Sequence, residues 1–396
     1  MRAPPLAPFE KSLYSRSRSM RVCMVSPHLP PEQAAVALLP IMLGDTLSSS
    51  GVMTSYVSHP SEAGAKVQGR DVTYVARRGR SAVSRSTLGA VLAGARMILR
   101  ASKAIARSDV VHLHSNGLLI EAGAWLATRF GKPYIVTLYG TDVSAHDRSR
   151  NARYGRVVRK AAARVFYSRG LLDHASRLDL ATDPSSVIYA PVSSDFHAVD
   201  QHTRTDLRRQ LGAVNGPILL TVKHLRPVCG HGTLLSAMPE ILRRHPDAVL
   251  WLAGEGELRS TLESMCRDLG IAAHVRFLGR LDNQTIWKYY AAADLFVLPS
   301  AVESWGTVML ESMACGTRVV TTDTVGGVEV SKNFPDDVVV VPRGDAGRLA
   351  EAVSQSVVPL RRVSTVTLQR VKSDFTADGC AAQYFRVYQR ALSSRQ

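Results

Sequence analysis

The 396-residue sequence predicts an α/β protein built from two Rossmann-like domains. Short apolar runs of strand length alternate with helical segments of about 10–15 residues, which is typical of a parallel sheet covered on both faces. The alternation begins at Arg21 and starts again after Asp195. Hydrophobic residues make up 45% of the chain and charged residues 21%, so each half can bury a core.

In the first half, the hydrophobic pattern interleaves strands with helices. The predicted strands span residues 21–27, 54–58, 72–76, 110–113, 134–138 and 165–168. The predicted helices span residues 34–50, 88–107, 118–130 and 154–164. Residues 1–20 are rich in Pro, Ser and Arg and have no periodicity, so we expect a disordered extension before the first strand.

The second half repeats the pattern. The predicted strands span residues 217–222, 248–253, 275–278, 295–299, 318–322 and 338–341, and the predicted helices span 232–243, 257–269, 283–292, 307–314 and a segment from 346. A final amphipathic helix spans 380–392. We therefore expect domains at residues 21–195 and 196–375, followed by a terminal helix at 376–396. Ligands bind at the carboxyl ends of parallel strands, so two facing domains predict one interdomain cleft.

Composition excludes several protein classes. No apolar stretch approaches the ~18 residues that span a bilayer, and residues 1–20 lack the apolar core of a signal peptide. The five cysteines lie far apart, which excludes a disulfide framework or zinc ribbon and favours the reducing cytoplasm. Residues 1–195 carry 26 basic and 13 acidic residues, whereas residues 196–396 carry 23 and 20. This asymmetry predicts contact with a polyanion.

The block from Glu303 to Gly316 carries the sharpest functional pattern. A strand ends just before it, a turn carries Glu303, and a helix that starts near Thr307 carries Glu311 one turn in. Free N–H groups of a first helical turn suit a phosphate, and a carboxylate can accept both hydrogens of a vicinal diol. The pattern predicts a nucleotide-sugar site. Taken singly, Glu303 could instead be a solvated loop charge and Glu311 a charge that favours the helix dipole.

The block at residues 303–316 resembles the Glu-x7-Glu signature of the family 4 retaining glycosyltransferases, which have the GT-B fold. Other stretches resemble family segments in the family's order, namely residues 218–235, 252–256, 275–279, 293–300 and the loop 326–329 in the second half, and 109–114 and 139–142 in the first. The last helix, with Tyr384 and Tyr388, resembles the one that crosses back to the first domain.

The resemblance implies transfer of a sugar from a nucleoside diphosphate donor, with a UDP-sugar favoured, and retention at the anomeric carbon by front-side attack. Glu303 would bind the sugar hydroxyls, Glu311 the ribose, and His114 the transferred sugar. The remaining donor-binding residues would be Gly254 in a glycine turn, Leu278, Gly279 and Arg280 at the base, and Trp305, Gly306, Thr307 and Val308 at the diphosphate. Asp142 could equally be an N-cap or a turn residue. No cofactor or metal is expected, because such enzymes stabilise the leaving diphosphate with positive groups and helix dipoles, and the chain contains no Asp-x-Asp.

Two positions depart from the family pattern. The Arg and Lys that usually clamp the phosphates are replaced by His224 and Cys229. Lys223 and Arg226 are the fixed cations nearby, and we expect one of them to take over this catalytic role. The loop at residues 30–35 lacks the paired glycines that the family carries near the diphosphate.

The basic residues of the first half concentrate at 77–107 and 148–164, where Arg153, Arg156, Lys160 and Arg164 are predicted to share a helix face. This face would either be simply solvated or dock peripherally onto anionic lipid at the inner face of the membrane. No nucleic-acid recognition module appears, so nucleic acid is not expected as a partner.

The leading hypothesis is a glycosyltransferase of polysaccharide or glycolipid biosynthesis, acting on a glycan or lipid-linked acceptor. Alternatives are a glycosyltransferase of a soluble secondary metabolite and a catalytically lapsed sugar-nucleotide-binding homologue, the latter suggested by His224 and Cys229. A dinucleotide-dependent oxidoreductase is disfavoured, because no Gly-x-Gly-x-x-Gly follows the first strand.

Overall fold

A computed structural model describes residues 19–30, 35–60, 67–75, 87–144, 152–212, 215–358 and 361–394. The chain divides into two compact units. Unit 1 combines the chain up to Ala190 with the residues from Ala377 onward, and unit 2 is Pro191–Thr376. Each unit is a parallel sheet with helices, so the predicted fold class of two Rossmann-like domains is confirmed.

Unit 1 contains a seven-stranded parallel sheet. Its strands are β1 (Arg21–Val25), β2 (Met53–Ser58), β3 (Val72–Tyr74), β4 (Val110–His114), β5 (Tyr134–Leu138), β6 (Ala163–Phe166) and β7 (Ser185–Val187). They lie in the order β3-β2-β1-β4-β5-β6-β7, with Val25 of β1 paired with Val57 of β2 and Leu113 of β4. Every residue of β4 and β5 is buried, as expected for strands covered on both faces.

The helices of unit 1 include the last helix of the chain. They are α1 (Ala35–Ser49), α2 (Thr87–Arg107), α3 (Leu118–Arg129), α4 (Thr141–Ser144), α5 (Ala152–Lys160), α6 (Arg169–Arg177) and α15 (Ala377–Ser393). Helix α15 packs against α1 and against β4 and β5. Its buried Tyr388 hydrogen-bonds His112 of β4, and its buried Tyr384 hydrogen-bonds Thr137 of β5. The terminal helix is therefore part of the first unit's core.

Unit 2 contains a six-stranded parallel sheet in the order β10-β9-β8-β11-β12-β13. Its strands are β8 (Ile218–Val222), β9 (Val249–Ala253), β10 (Val275–Gly279), β11 (Leu295–Leu298), β12 (Val319–Thr322) and β13 (Val338–Val341). Its helices are α7 (Gln201–Gln210), α8 (His231–Arg244), α9 (Arg259–Asp268), α10 (Ile286–Ala292), α11 (Thr307–Ala314), α12 (Val325–Asn333), α13 (Ala346–Val357) and α14 (Thr365–Asp374). Short 3-10 turns lie at Pro227–Cys229 and Ala272–His274. Leucines of β8, β9, α8 and α13 form the main core cluster.

The prediction that Arg164 lies on an exposed helix face is wrong. Helix α5 ends at Lys160, and Arg164 belongs to β6 with only 2% of its surface exposed. Its guanidinium donates to the backbone carbonyls of Val158, Ala161 and Thr182. Burial lowers the pKa of this guanidinium, and the carbonyls replace the water that it has lost. Arg164 thus stabilises the α5–β6 connection instead of contributing to a charged surface.

The predicted loop at residues 326–329 is also wrong, because these residues lie within α12. Thr324 caps this helix by accepting a hydrogen bond from the Gly327 N–H. Gly326 lets the helix approach the turn before α11, since a Cβ atom there would lie 2.6 Å from the backbone nitrogen of Trp305. The glycine pair serves close packing. Residues 1–18 and 31–34, which carry the expected disordered extension and most of the glycine-poor loop, lie outside the described residues.

Candidate functional site

The sequence-predicted residues of unit 2 gather at one edge of its sheet. Lys223 follows β8, Gly254 follows β9, Gly279 ends β10, and Glu303 lies in the turn after β11. These four strands are neighbours in a parallel sheet, so their carboxyl ends share an edge. The sheet topology thereby brings together residues that lie as far as 80 positions apart in the chain.

The turn before α11 depends on a glycine. Gly306 has a φ of 79° and is the N-cap of α11. A Cβ atom there would lie 2.6 Å from the Met309 methyl carbon and 3.2 Å from Cγ of Glu303, so a larger residue would displace Glu303. Trp305 is buried, while Thr307 and Val308 are half-buried. The Met309 N–H donates to the Gly306 carbonyl at 2.9 Å. The N–H groups of Thr307 and Val308, at the first two positions of α11, precede any acceptor that the helix can offer, which leaves them suited to an anion.

Lys223 forms an ion pair with Glu303. The Lys223 Nζ lies 2.5 Å from Oε2 of Glu303, and their side chains are 25% and 11% exposed. Burial lowers the pKa of Lys223, but the adjacent Glu303 carboxylate outweighs burial and raises it above its usual value. Lys223 is therefore a fixed positive charge beside the first turn of α11.

Arg226, and the two positions where the family has its phosphate-clamping Arg and Lys, differ from Lys223 in their exposure and contacts. Arg226 and His224 are exposed, whereas Cys229 is buried in the 3-10 turn Pro227–Cys229. Burial lowers the pKa of His224, and the nearby charge of Arg226 lowers it further, so this imidazole is neutral near pH 7. Of the two cations expected to substitute, Lys223 contacts Glu303 and Arg226 points to solvent.

Glu311 lies half-buried on α11. The hydroxyl of the fully buried Tyr290 on α10 donates to Oε2 of Glu311 at 2.9 Å. Burial raises the pKa of Glu311 to about 7, although the Tyr290 hydroxyl and the charge of Lys223 both favour the ionised form. This carboxyl therefore changes charge within the physiological pH range.

Substituting Glu311 by glutamine should stabilise the fold at alkaline pH. The folded pKa of about 7 exceeds the ordinary 4.5, so the contribution of protonated Glu311 is fully present below about pH 4.5 and is lost as pH rises through 7. A neutral glutamine avoids this loss, which amounts to at most about 3 kcal/mol. We expect the Tm difference between variant and wild type to grow from pH 5 to pH 8. A Glu257→Gln control, at an exposed position of the same unit, should show no such trend.

Glycines hold the backbone of Lys223 in place. Gly254 has a φ of 142°, and a Cβ atom there would collide with the carbonyl oxygen of Lys223. Its N–H donates to the Gly279 carbonyl at 2.8 Å, which ties the ends of β9 and β10 together. On the same edge, Leu278 is half-buried and Arg280 is exposed. Gly254 thus fixes the position of a charged neighbour, a role that the sequence pattern did not suggest.

In unit 1, His114 is the last residue of β4 and is fully buried. Its Nδ1 lies 2.7 Å from the Tyr139 hydroxyl, while Nε2 has no hydrogen-bond partner among the described residues. Burial lowers the pKa of His114 to about 3, so the ring is neutral. An unmet ring nitrogen at a strand's carboxyl end can bind a hydroxyl group.

A second buried network links α15 to the same strands. His112 Nδ1 lies 2.8 Å from the Tyr388 hydroxyl and Nε2 lies 2.7 Å from the Thr137 hydroxyl. The His112 and His114 rings are 3.8 Å apart. Helix α15 therefore supports the ring that packs against His114.

Asp142 lies in the first turn of the short helix α4 (Thr141–Ser144). Its carboxylate accepts hydrogen bonds from the backbone N–H groups of Tyr139 at 3.0 Å and Gly140 at 2.7 Å. Burial raises the pKa of Asp142, and these N–H groups oppose that shift. Asp142 is therefore neither the N-cap of α4 nor a residue of the preceding turn, and its carboxylate instead holds the backbone that leads into the helix.

Sequence reasoning missed Tyr290 and the hydroxyl of Tyr139. Tyr290 lies 21 residues before Glu311 on an amphipathic helix, where an aromatic residue predicts only a core position. Tyr139 lies in a segment that the resemblance singled out, but nothing in the sequence pairs it with His114.

No helix among the described residues is long and apolar enough to cross a membrane. No group of three or more His, Cys, Asp or Glu side chains in the described parts could hold a metal ion.

Comparison with known proteins places both halves of the chain in related families. The family described as "Glycosyl transferases group 1" matches residues 203–357, and "Glycosyl transferase 4-like domain" matches residues 16–191. The chain is 30% identical over 247 residues to an uncharacterized glycosyltransferase of Methanocaldococcus jannaschii, which covers 59% of this chain and 63% of that protein.

It is also 31% identical over 201 residues to a GDP-mannose-dependent alpha-(1-6)-phosphatidylinositol monomannoside mannosyltransferase of Mycolicibacterium smegmatis, covering 48% of this chain and 52% of the relative. The matches thus span about half to two thirds of these curated relatives. Among solved structures, Anabaena HepE in complex with UDP superposes with a TM-score of 0.76 at 18% identity, over 95% of this chain and all of that one.

Proposed function

Because this chain belongs to the group 1 glycosyltransferases and has their GT-B fold, we propose that it is a retaining glycosyltransferase that uses a nucleoside diphosphate sugar. The observation that carries the proposal is the pair of carboxylates, Glu303 and Glu311, on either side of the first turn of α11, with Lys223 bonded to Glu303. This arrangement offers a diphosphate site between two diol acceptors.

Each residue has a proposed role. The N–H groups from Trp305 to Val308 bind the diphosphate, Glu311 accepts from the ribose hydroxyls, and Glu303 accepts from hydroxyls of the donor sugar. Leu278, Gly279 and Arg280 border the base. The bond from the anomeric carbon to the phosphate oxygen breaks as the acceptor oxygen bonds on the same face, and the departing phosphate takes the acceptor proton.

Lys223 is the proposed replacement for the missing phosphate-clamping cations. It is protonated, half-buried and in contact with Glu303, so its charge is poorly screened where negative charge develops on the leaving group. The proposal requires that a bound donor draw the ammonium from Glu303 toward the phosphate. The presence of a protonated Lys223 at this position favours an active enzyme over a catalytically lapsed homologue.

A panel of UDP-, GDP- and ADP-sugars tests the proposed function. One nucleoside diphosphate sugar should raise the Tm and undergo slow hydrolysis to the free sugar, since water can replace the acceptor. UDP-sugars are the first choice, because HepE was crystallised with UDP. Failure of every donor to shift Tm or to hydrolyse would remove the proposal, while binding without hydrolysis or transfer would favour a sugar-nucleotide sensor.

Activity should survive an excess of chelator. The proposed stabilisation of the leaving diphosphate comes from Lys223 and the first turn of α11, which need no divalent ion. Initial rates with and without EDTA should agree within about twofold. Loss of activity in EDTA that Mg²⁺ or Mn²⁺ restores would contradict this assignment.

A lipid-linked acceptor is supported by three neighbouring helices of unit 1, α2, α3 and α5, which expose basic and apolar side chains. Helix α2 exposes Arg96, Arg100, Lys103 and Arg107 around Leu99, which is 78% exposed. Helix α5 exposes Arg153, Arg156, Arg159 and Lys160. Trp125 of α3, 54% exposed, lies one turn from Glu121, whose pKa burial raises and Arg153 and Arg156 lower. Trp, Leu and basic residues together suit an anionic lipid interface.

Replacing Arg153, Arg156, Arg159 and Lys160 with glutamine should weaken binding to anionic vesicles by up to about 1 kcal/mol per residue at low salt. Wild-type binding should fall as salt shortens the Debye length from about 30 Å at 0.01 M to about 8 Å at 0.15 M. A matched control replaces the exposed Arg243, Arg244, Arg267 and Arg348 of unit 2 with glutamine. Equal vesicle sedimentation of both variants, or no preference for anionic lipid, would favour a soluble acceptor.

A further inference from the structure

A pocket that contains several charged side chains lies at the opposite edge of the unit 2 sheet. Pro217 precedes β8 and Asp294 precedes β11, so the pocket adjoins the amino ends of the strands whose carboxyl ends carry Lys223 and Glu303. The two edges are separated by the length of a five-residue strand, about 15 Å. The pocket has a volume of about 430 Å³, opens to solvent, and is bordered by one face of α7 and by Val357 at the end of α13.

Positive charge in this pocket exceeds negative charge. Three arginines of α7, Arg204, Arg208 and Arg209, line it together with one carboxylate, Asp294. Asp294 is 6% exposed on its side chain and contacts both Arg204 and Arg208, the latter at 2.7 Å. Asp294 neutralises one of the three lining guanidinium groups, and Asp206 on α7 pairs with Arg209. The pocket and its immediate neighbours therefore keep a surplus of one positive charge.

Two of the lining guanidinium groups, those of Arg204 and Arg209, keep N–H groups that have no acceptor among the described residues. Arg204 is 4% exposed, and its Nε has no partner among the described residues. The two terminal nitrogens of Arg208 donate hydrogen bonds to Asp294 and to the carbonyls of Ala292 and Gly216. Arg209 is 67% exposed and binds Asp206 through one terminal nitrogen at 2.8 Å. The Arg204 Nε is a buried donor without a partner, and the guanidinium of Arg209 nearby is exposed. Together they form an incomplete anion site.

A fourth arginine adds to the local potential. Arg362 donates to the carbonyl of Ala293, directly before Asp294, at 2.8 Å. Burial and, to a smaller extent, the charge of Arg204 together lower the pKa of Arg362 to about 10. The guanidinium groups in this part of unit 2 thus repel each other, and a bound anion would relieve that repulsion.

We propose that this pocket binds a phosphate group, either as inorganic phosphate or as the phosphate of a small phosphorylated metabolite, at a site separate from the proposed donor site. A phosphate presents three terminal oxygens to donors that converge from several side chains, and guanidinium groups match this geometry. The pocket volume fits a small molecule and excludes a folded partner. The site gives the unit a second ligand on the far edge of its sheet.

The test compares phosphate binding to the full chain and to Arg209→Gln by isothermal titration, at constant ionic strength set with chloride. Arg209→Gln should weaken the binding of inorganic phosphate by about tenfold or more, and Arg209→Lys by less, because charge is kept but the fork is lost. Arg243→Gln is a matched control, since Arg243 is 68% exposed and pairs with Glu240 three residues earlier, as Arg209 pairs with Asp206.

Saturation with UDP separates this site from the donor site, because Arg209-dependent phosphate binding should persist when the opposite edge is occupied. The comparison of phosphate binding between wild type and Arg209→Gln does not need UDP to bind. It therefore remains a valid test of the phosphate site even if the proposed glycosyltransferase function fails. Tighter binding of glycerol 3-phosphate than of inorganic phosphate would identify an ester as the ligand, and equal binding would identify free phosphate. Phosphate binding that is absent, or unchanged in Arg209→Gln, overturns the proposal.

Discussion

Lys223→Ala should lower turnover by about 10²–10³-fold, the usual effect of removing one preorganised charge from a reaction that releases an anion. The substitution also leaves the half-buried Glu303 carboxylate without its partner at 2.5 Å, which adds electrostatic repulsion toward the diphosphate. Steady-state hydrolysis of the donor, and transfer once an acceptor is known, measure the loss. Lys223→Arg should restore part of the rate because it keeps the charge.

Arg226→Ala is the control for this prediction. Arg226 is three residues away and exposed, so its removal should change turnover by no more than about threefold, as expected for a solvent-screened charge. A larger loss in Arg226→Ala than in Lys223→Ala would assign the cationic role to Arg226. Thermal unfolding of both variants verifies that the fold survives.

Glu303→Ala and Glu311→Ala should fail in different ways. Glu303 lies beside Lys223 in the turn before α11, where the transferred sugar is proposed to bind, so its loss should depress kcat by about 10²-fold or more. Glu311 lies one turn inside α11 and accepts a hydrogen bond from the Tyr290 hydroxyl. The ribose is proposed to bind to this carboxylate. Its loss should weaken UDP binding by about 10–100-fold, the value of hydrogen bonds to a charged group.

The two readouts are kcat for donor hydrolysis and the Kd of UDP. Glu303→Ala should retain UDP affinity within a few-fold, because UDP lacks the sugar that Glu303 contacts in the proposal. If both variants matched wild type, the site would lie elsewhere. If both lost UDP binding equally, Glu303 would belong to the nucleotide part of the site.

Local patterns made much of the fold predictable. Strands such as β5 and helices such as α11 appear in the sequence as unbroken apolar or amphipathic runs, and their predicted and observed bounds agree. The edge that collects Lys223, Gly254, Gly279 and Glu303 was also predictable, because each follows a recognisable strand of a parallel sheet. Position along the chain is enough to place residues that a regular topology brings together.

What the sequence did not reveal depends on side-chain direction and long-range contact. Arg164 continued the spacing of the α5 arginines, yet it points into the protein toward backbone carbonyls. In the sequence, Lys223 and Arg226 are two equivalent positive charges, but in the structure only Lys223 of the two contacts Glu303. Tyr290 acquires its role from a residue on another helix. Such pairings follow from packing, which periodicity does not encode.

The placement of α15 has a consequence for synthesis on the ribosome. Unit 2 is one continuous segment, Pro191–Thr376, whereas unit 1 needs the residues from Ala377 onward. The second unit can therefore complete its sheet while the first still waits for Tyr384 and Tyr388 to reach Thr137 and His112. Until those last residues leave the exit tunnel, the apolar surface beside β4 and β5 stays uncovered. The nascent chain is then most exposed to chaperones and to aggregation in its earliest-made half.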